Sequence, residues 1–512
     1  MTHWVIAPVV LPALLAPFIV LAARYHISIQ RVFSVVGVLA LIGIAAGLMW
    51  QTSDGTIILY QLGDWAAPFG IVIVGDRLST LMVLLTAVLA LFVLLYTIGS
   101  DWDTRGRHFH ALFQFQLMGI MGAFLTGDLF NLFVFFEVLL IASYGLMIHA
   151  GGDARLRAGV QYVLFNLLGS TLFLFALGAI YAQTGTLNMA DLAQRVALID
   201  GADTVGIRIA AVLLLLVFAI KAAVLPLHFW LPSSYAEAPA PVAALFAIMT
   251  KVGAYAIIRV YTMIFGPQVD VTAGLHTAWL LPAALASLAI GMIGVLAARH
   301  LDRLVAFAVI GSMGMVMVAI SLFTPTSITA ALYYTVHSTL SAATLFLIVD
   351  LVRTGRADLR LTAQPMIPGA TLTSAMFFAA AIAMAGLPPL SGFVGKLMVL
   401  DAAFDTAHAA WIWAVVLLSS LVAVVGFSRA GSMLFWKAKA IADDTQNTSP
   451  APTALSYVAV GGLLALLVAH TVFAGPVTRY MAAVSDQLFN PGPYIATVLD
   501  TPGKLSTPKE GH

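Results

Sequence analysis

The chain has 512 residues, of which 61% are hydrophobic and 9% charged, and its formal net charge is +1. This composition is far from that of soluble globular domains and indicates a protein that lives in lipid. Cysteine is absent, which excludes disulfides, thiolate-held iron–sulfur clusters and cysteine nucleophiles within the chain.

Apolar stretches follow one another along the sequence, each near the roughly 20 residues that a helix needs to cross the hydrocarbon core. We count fourteen, with approximate bounds 4–23, 32–50, 78–98, 111–126, 129–149, 160–182, 207–225, 241–264, 274–297, 303–323, 328–351, 371–403, 410–435 and 454–474. The sequence therefore predicts an all-α polytopic membrane protein. The remaining residues, Thr478 to His512, form a polar C-terminal tail.

The basic residues indicate which side each loop faces, because cytoplasmic loops carry an excess of Lys and Arg. With an external N-terminus, fourteen of the twenty-four basic residues lie in or beside inner loops: Arg24, Arg31, Arg105, Arg107, Arg155, Arg157, Arg299, Arg303, Arg353, Arg356, Arg360, Arg429, Lys437 and Lys439. The outer loops are almost free of them. The pattern predicts that both termini lie on the outer side of the membrane.

Segment five contains Glu137, one of three glutamates in the chain, in a run that reads Phe-Val-Phe-Phe-Glu-Val-Leu-Leu. A solvated helix face does not explain this position, so the carboxylate needs a partner. Lys221, at the end of segment seven, is the expected one. An ammonium in the bilayer costs roughly 2.5 to 3.5 kcal/mol on insertion scales and persists beside a counter-charge or a wet cavity. A nearby carboxylate favours the charged lysine and burial favours the neutral one, which suits a proton carrier. The alternative is a static ion pair that fixes helix packing.

Two segments are interrupted by proline next to a lysine. Segment seven breaks in the run Leu-Pro-Leu-His-Phe-Trp-Leu-Pro at 225–232, and segment twelve breaks in Gly-Leu-Pro-Pro-Leu-Ser-Gly at 386–392, shortly before Lys396. Paired interruptions in the two halves of a transporter point to its ion path. His228 lies in the first break, where we expect a relay or orienting role.

Two further residues, Lys251 and His337, complete the predicted line of protonatable groups. Lys251 lies at the centre of segment eight, too deep to reach the surface easily, and is expected to relay protons. Arg259, two turns later, is expected to extend to the outer surface. His337, in the middle of segment eleven, can pass a proton between its two ring nitrogens, although a buried histidine is as often simply hydrogen-bonded. Carboxylates near helix ends are interpreted as caps or packing residues: Asp128, Asp350 and Asp401.

These motifs resemble a known family. The stretch 127–137, the stretch 221–241 with its Leu-Pro-Leu-His-Phe-Trp-Leu-Pro core, and Ser-Gly-Phe-Val-Gly-Lys at 391–396 are similar to the D subunit of the multisubunit Mrp (Mnh, Pha) cation/proton antiporters. That protein is related to antiporter-like membrane subunits of proton-pumping NADH:quinone oxidoreductase. The resemblance implies fourteen helices with two inverted five-helix repeats. The corresponding division is helices 1–3 in 1–110, the first repeat in 111–264, the second in 274–436, and the last helix with the tail in 437–512.

The resemblance also implies roles. Glu137 and Lys221 match the first half-channel pair, while Lys251, His337 and Lys396 match the continuation of a protonatable line across the middle of the membrane. One related oxidoreductase subunit usually has glutamate where Lys396 stands, which favours the antiporter. We therefore expect a secondary transporter subunit rather than an enzyme, without a cofactor or metal. Its partners would be other antiporter subunits, protons, Na⁺ or K⁺, and lipid, but not nucleic acid. A proton-pumping oxidoreductase or hydrogenase subunit is the alternative, and a non-conducting scaffold is a third.

Overall fold

A computed structural model describes residues 2–199, 204–356, 358–440 and 451–503. Its α-helices, in chain order, are α1 (Ala7–Ala22), α2 (Ile27–Thr52), α3 (Arg77–Gly99), α4 (Phe109–Leu125), α5 (Leu129–Met147), α6 (Asp153–Thr184), α7 (Met189–Ala197), α8 (Thr204–Lys221), α9 (Trp230–Glu237), α10 (Ala240–Phe246), α11 (Met249–Met263), α12 (Leu275–Ala297), α13 (Leu301–Ser321), α14 (Pro325–Thr354), α15 (Ala370–Ala385), α16 (Ser391–Ala402), α17 (Ala409–Gly431), α18 (Ala454–Val472), α19 (Ala474–Phe489) and α20 (Gly492–Leu499). Short 3₁₀ turns at Thr2–Trp4, Leu62–Asp64, Trp102–Thr104, Asp270–Thr272 and Lys437–Ala440, and a π-helical turn at Ser432–Trp436, complete the helical structure.

Eleven helical spans in the described part of the chain are long and apolar enough to cross a membrane, and α1, α4 and α15 are shorter apolar helices. The interior of the bundle is formed by α10 with α11, by α13 and by α14, whose apolar stretches are 100%, 94% and 94% buried. By contrast α2, α17 and α18 are only 33% buried, so most of their surface is left for lipid or for partner proteins. The predicted lysine and histidine carriers therefore include residues of the most enclosed helices.

The structure adds a two-stranded antiparallel sheet that the all-α prediction did not include. Strand β1 (Ile58–Gln61) pairs with β2 (Val72–Gly75), in the register Ile58 to Gly75 and Gln61 to Val72. Both strands are too short to cross the bilayer, and all four residues of β2 are buried.

The predicted segment seven ends four residues earlier than expected, because α8 stops at Lys221. Ala223 then adopts a left-handed backbone with φ of 53°, which ends the helix ahead of the prolines. The freed backbone groups find other partners: the Trp230 indole donates to the Ile220 carbonyl at 3.1 Å, and Ser287 accepts from the Leu225 amide at 2.8 Å. Non-helical backbone is thereby satisfied within the protein.

Two other predicted spans are also divided. Segment twelve is split into α15 and α16, with Gly386 at φ 74° after α15. Segment eight, which we predicted as one helix, is interrupted at Ala247 and Ile248 between α10 and α11, with no proline at the interruption. Lys251 consequently lies in the first turn of α11 and not within an unbroken helix.

A pair of isolated backbone bridges relates the two halves of the chain. Asp128, just before α5, pairs with Asn188, which follows α6. In the second half, His300, just before α13, pairs with Arg360, which follows α14. In each case the chain entering one long helix is tied to the chain leaving the next.

The C-terminal region that we predicted to be a polar tail contains α19 and α20. These helices pack on the end of the bundle where α3 and α14 begin: Ser485 donates to the Pro325 carbonyl at 2.8 Å, and Tyr480 donates to the Arg77 carbonyl at 3.2 Å. The sequence pattern missed them because they are short and amphipathic, not apolar throughout. Lys504 and Lys509 lie outside the described residues.

Candidate functional site

Lys221 is the last residue of α8 and is 7% exposed. Its ammonium donates to the Asn166 amide oxygen of α6 at 3.2 Å and lies 5.9 Å from the centroid of the Phe136 ring. The Asn166 amide nitrogen donates to the Tyr162 carbonyl at 2.9 Å, which fixes the amide with its oxygen toward the lysine. Because Lys221 is the last residue of α8, its ammonium lies beside the break that follows this helix.

Glu137 of α5 makes no ion pair with Lys221 in the part of the chain that the structure describes. One carboxylate oxygen of Glu137 is buried and makes no hydrogen bond within the described part of the chain. A buried carboxylate oxygen without a hydrogen-bond donor is costly, so this oxygen needs a water molecule or the approach of a donor.

A small cavity lies beside Lys221. Its volume is about 10 Å³, near the lower limit for one water molecule, and Asn166, Tyr162, Trp230 and Met249 are among its lining residues. Met249 begins α11, two residues before Lys251. The cavity therefore lies between the end of α8 and the first turn of α11.

Lys251 is fully buried, and within the described part of the chain its ammonium makes one long hydrogen bond, of 3.5 Å, to the Thr250 hydroxyl. Nearby, a Cβ at Gly253 would lie 2.7 Å from the Ala222 amide nitrogen, so α11 packs directly against the break after Lys221. This close backbone approach brings the first-turn lysine of α11 next to the interrupted end of α8.

His337 of α14 is fully buried, and its Nδ1 lies 2.9 Å from the hydroxyl of Ser391, the first residue of α16. Its Nε2 points to the second break, where a Cβ on Gly392 would approach it to 2.8 Å. His337 is therefore held at the second interruption, beside the first turn of the helix that carries Lys396.

Lys396 of α16 is 5% exposed and has two acceptors. Its ammonium donates to the Ala385 carbonyl at 2.6 Å and to the Ser420 hydroxyl of α17 at 2.8 Å. Ala385 is the last residue of α15, so the lysine binds a carbonyl that the break frees from the helix. The backbone interruption itself supplies the site for the charge.

Four of the six predicted site residues, Lys221, Lys251, His337 and Lys396, are buried, whereas Glu137 and His228 are only partly buried. His228 is half-buried between α8 and α9, packs against the Phe229 ring with centroids 5.4 Å apart, and has no hydrogen bond to another predicted site residue among those described. Asp128 is an N-cap of α5, as expected, accepting from the Asn131 amide at 2.8 Å.

The prediction for Arg259 was wrong. The guanidinium is buried and binds Asp76 through two hydrogen bonds of 2.6 and 2.7 Å. Asp76 also caps α3 through the Ser79 amide. The sequence could not show this pair because its members are 183 residues apart and no local pattern links them.

Sequence reasoning also missed polar groups that contact the predicted residues. Asn166, Ser391 and Ser420 bind Lys221, His337 and Lys396 respectively, and His470 of α18 packs against α14. Asn and Ser in apolar helices are common enough that only the contact reveals them. Among the described residues, no group of three or more His, Asp and Glu could hold a metal ion.

Comparison with known proteins agrees with this architecture. Residues 126–423 match the family model described as NADH:quinone oxidoreductase/Mrp antiporter, TM. The chain is 38% identical to a probable K(+)/H(+) antiporter D subunit of Rhizobium meliloti, with 98% of each chain covered. It is also 38% identical to the Na(+)/H(+) antiporter D subunit of Bacillus subtilis, covering 98% of this chain and 100% of that protein.

Solved structures also include chains with this fold. A chain in the Mrp complex from Dietzia sp. DQ12-45-1b superposes with a TM-score of 0.87 at 26% identity, covering 98% of this chain and 100% of that one. Respiratory complex I from Thermus thermophilus contains a chain of the same fold, with a TM-score of 0.79 at 24% identity, covering 97% of this chain and 99% of that one. The chain thus belongs to the NADH:quinone oxidoreductase/Mrp antiporter family of transmembrane subunits.

Proposed function

We propose that this chain is the proton-translocating membrane subunit of a multisubunit monovalent cation/proton antiporter. The observation that carries the proposal is the burial of three lysines and a histidine, Lys221, Lys251, His337 and Lys396, with Lys221 and Lys396 beside the two helix breaks. The names of the curated relatives, Na⁺/H⁺ and K⁺/H⁺ antiporter D subunits, support the substrate class.

In this proposal Glu137 controls the protonation of Lys221. A proton held on Lys221 moves through the small cavity toward Lys251, and then through His337 to Lys396. Each carrier is enclosed by apolar packing, where the charged and neutral forms come closer in free energy than in water. The hydrogen bonds to Asn166, Ser391 and Ser420 orient the carriers, and cation transport is coupled through neighbouring subunits. His228 is given an orienting role at the first break.

The proposal includes fourteen membrane-spanning segments with two inverted repeats, about 111–264 and 274–436. The paired bridges, Asp128 with Asn188 and His300 with Arg360, support the repeats, because they occupy corresponding helix ends that the predicted topology assigns to opposite sides. Asn166 lies 22 residues before Asn188, and His337 lies 23 residues before Arg360. The two side chains that contact the broken helices thus occupy similar positions in the two proposed repeats. Both termini lie outside the bacterial inner membrane.

The test uses the whole antiporter complex in membrane vesicles, with cation-dependent proton movement measured per amount of assembled complex. Glu137→Gln and Lys221→Ala should each abolish antiport while assembly is preserved. Lys437→Ala, which changes an exposed lysine outside the line, is the matched control. Full antiport in either interior variant would overturn the proposal. Loss of assembly in parallel with loss of activity would instead favour a scaffold whose buried charges only specify packing.

A further inference from the structure

His470 is a buried titratable residue that the proposed relay does not yet use. It is 7% exposed and lies two residues before the end of α18. The rest of that helix is apolar and mostly turned away from the bundle, being only 33% buried. A histidine on the enclosed side of such a helix needs a specific partner.

The partner is Tyr333 of α14. The two rings stack with centroids 4.2 Å apart and an interplanar angle of 25°. His470 Nε2 lies 3.1 Å from the Tyr333 carbonyl, and the Tyr333 hydroxyl donates to the His470 carbonyl at 3.1 Å. Because a carbonyl only accepts, Nε2 carries the hydrogen, and in the neutral ring Nδ1 remains free to receive a proton.

Tyr333 also connects His470 to the relay. Tyr333 and His337 are four residues apart on α14, so they share a face and are separated by about 6 Å along the helix axis. The Tyr334 ring packs against His337 with ring centroids 5.2 Å apart. A Cβ at Gly395 would come within 2.8 Å of Tyr334 and 3.3 Å of Tyr333, so α16 with Lys396 closes the third side of this cluster.

The cluster leads from mid-helix toward one end of the bundle. Tyr333 is nearer the start of α14 than His337 is, and α18 ends where α14 begins, since Ser485 of the following α19 binds the Pro325 carbonyl. His470 is therefore displaced from the central line toward that end, which the basic-residue pattern assigns to the outer side.

We infer that His470 is a further relay residue, through which the second half exchanges protons between His337 and the outer side of the membrane. This inference rests on the proposed function and extends it with an exit. A proton passed from His337 through bridging water binds Nδ1 of His470, whose Nε2–H stays bonded to the Tyr333 carbonyl, and Nδ1 then releases that proton toward the outer end. The charge is conserved at each step, and no other co-reactant is needed.

The inference is tested with His470→Gln in the complete complex in vesicles. Glutamine keeps an N–H for the Tyr333 carbonyl but cannot carry a proton, so we expect cation-dependent proton flux per assembled complex to fall at least tenfold. His470→Ala should lose the same activity and regain part of it, severalfold, when imidazole is added, since a small diffusible base replaces the missing ring. Thr471→Ala, on the next residue of α18, should retain the wild-type rate.

The inference is overturned if His470→Gln has wild-type proton flux, or if imidazole does not restore proton flux to His470→Ala. In either case His470 only packs α18 against α14. Lys221→Ala is measured in the same series. If Lys221→Ala is inactive and His470→Gln is fully active, only the proposed role of His470 is overturned. If both variants are fully active, the proposed function is overturned as well.

Discussion

Lys221 is bound directly by Asn166, at 3.2 Å, and makes no ion pair with Glu137 among the described residues. The group that orients the lysine is thus a neutral amide. A lysine held by a tight carboxylate pair would be trapped in its protonated form, because a short ion pair favours the charged state. An amide oxygen holds the ammonium in place without adding a full countercharge.

Removing the Asn166 side chain is the first test of this arrangement. A hydrogen bond to a charged group contributes about 1.5 to 3 kcal/mol, so Asn166→Ala should lower proton flux by about tenfold or more, with assembly retained. Asn166→Asp should also lower it, because a close carboxylate traps the proton. Asn490→Ala removes an exposed asparagine and serves as control. If Asn166→Asp transports at the wild-type rate, the lysine does not depend on a neutral partner.

Gly386 is expected to be essential for the position of Lys396. It combines a left-handed backbone with the close approach of the lysine: an added Cβ would lie 2.6 Å from Lys396 Cδ and 2.8 Å from its ammonium. Gly386→Ala should reduce flux at least tenfold. Gly274→Ala is the matched control, since Gly274 has a similar φ of 72° with nothing within 4 Å of its added Cβ. If both variants lose proton flux to the same extent, the loss comes from backbone strain at a left-handed residue and not from displacement of Lys396.

The Asp76–Arg259 pair should stabilise the junction of α3 and α11. Asp76→Ala leaves a buried guanidinium without its countercharge, which costs about 3 to 5 kcal/mol when a buried pair is broken. The Asp191–Arg195 pair, whose arginine side chain is 47% exposed, provides the comparison, and Asp191→Ala should cost about 0 to 1 kcal/mol. Thermal unfolding of the detergent-solubilised protein measures both. If Asp76→Ala and Asp191→Ala lose similar amounts of stability, burial does not make the Asp76–Arg259 pair more important than the exposed pair.

The loop between α3 and α4 should make stability sensitive to acid. Burial raises the pKa of Asp103, but hydrogen bonds from His110 and Arg31 outweigh it and hold the pKa below its usual value. The carboxylate therefore contributes stability above the unfolded carboxyl pKa of about 3.9, and the contribution is lost as pH falls through the lower folded value. We expect Asp103→Asn to be less stable than wild type at neutral pH, and the difference to narrow below about pH 4. Thermal unfolding measured from neutral to acid pH checks this, and a constant difference would contradict it.

Much of the site could be predicted because intramembrane charge is costly. Lys221, Lys251 and Lys396 are conspicuous in apolar runs, and the prolines at 226 and 388–389 mark the breaks beside two of them. The same reasoning failed where no single residue carried the signal. The interruption between α10 and α11 contains only apolar residues and no proline, so no residue type indicates it. Arg259 was predicted to reach the surface because its partner Asp76 is 183 residues away and no local pattern links the two.

The sequence by itself determined that this is a polytopic helical protein with protonatable groups at two proline-marked breaks, because transfer of charge and of unpaired backbone into lipid is expensive enough to leave a local signature. Tertiary structure alone decided which groups meet. Hydrogen bonds such as those of Asn166 with Lys221 and Tyr333 with His470 join helices distant in the chain, and their geometry depends on packing at the range of a few ångströms, which no spacing within one helix encodes.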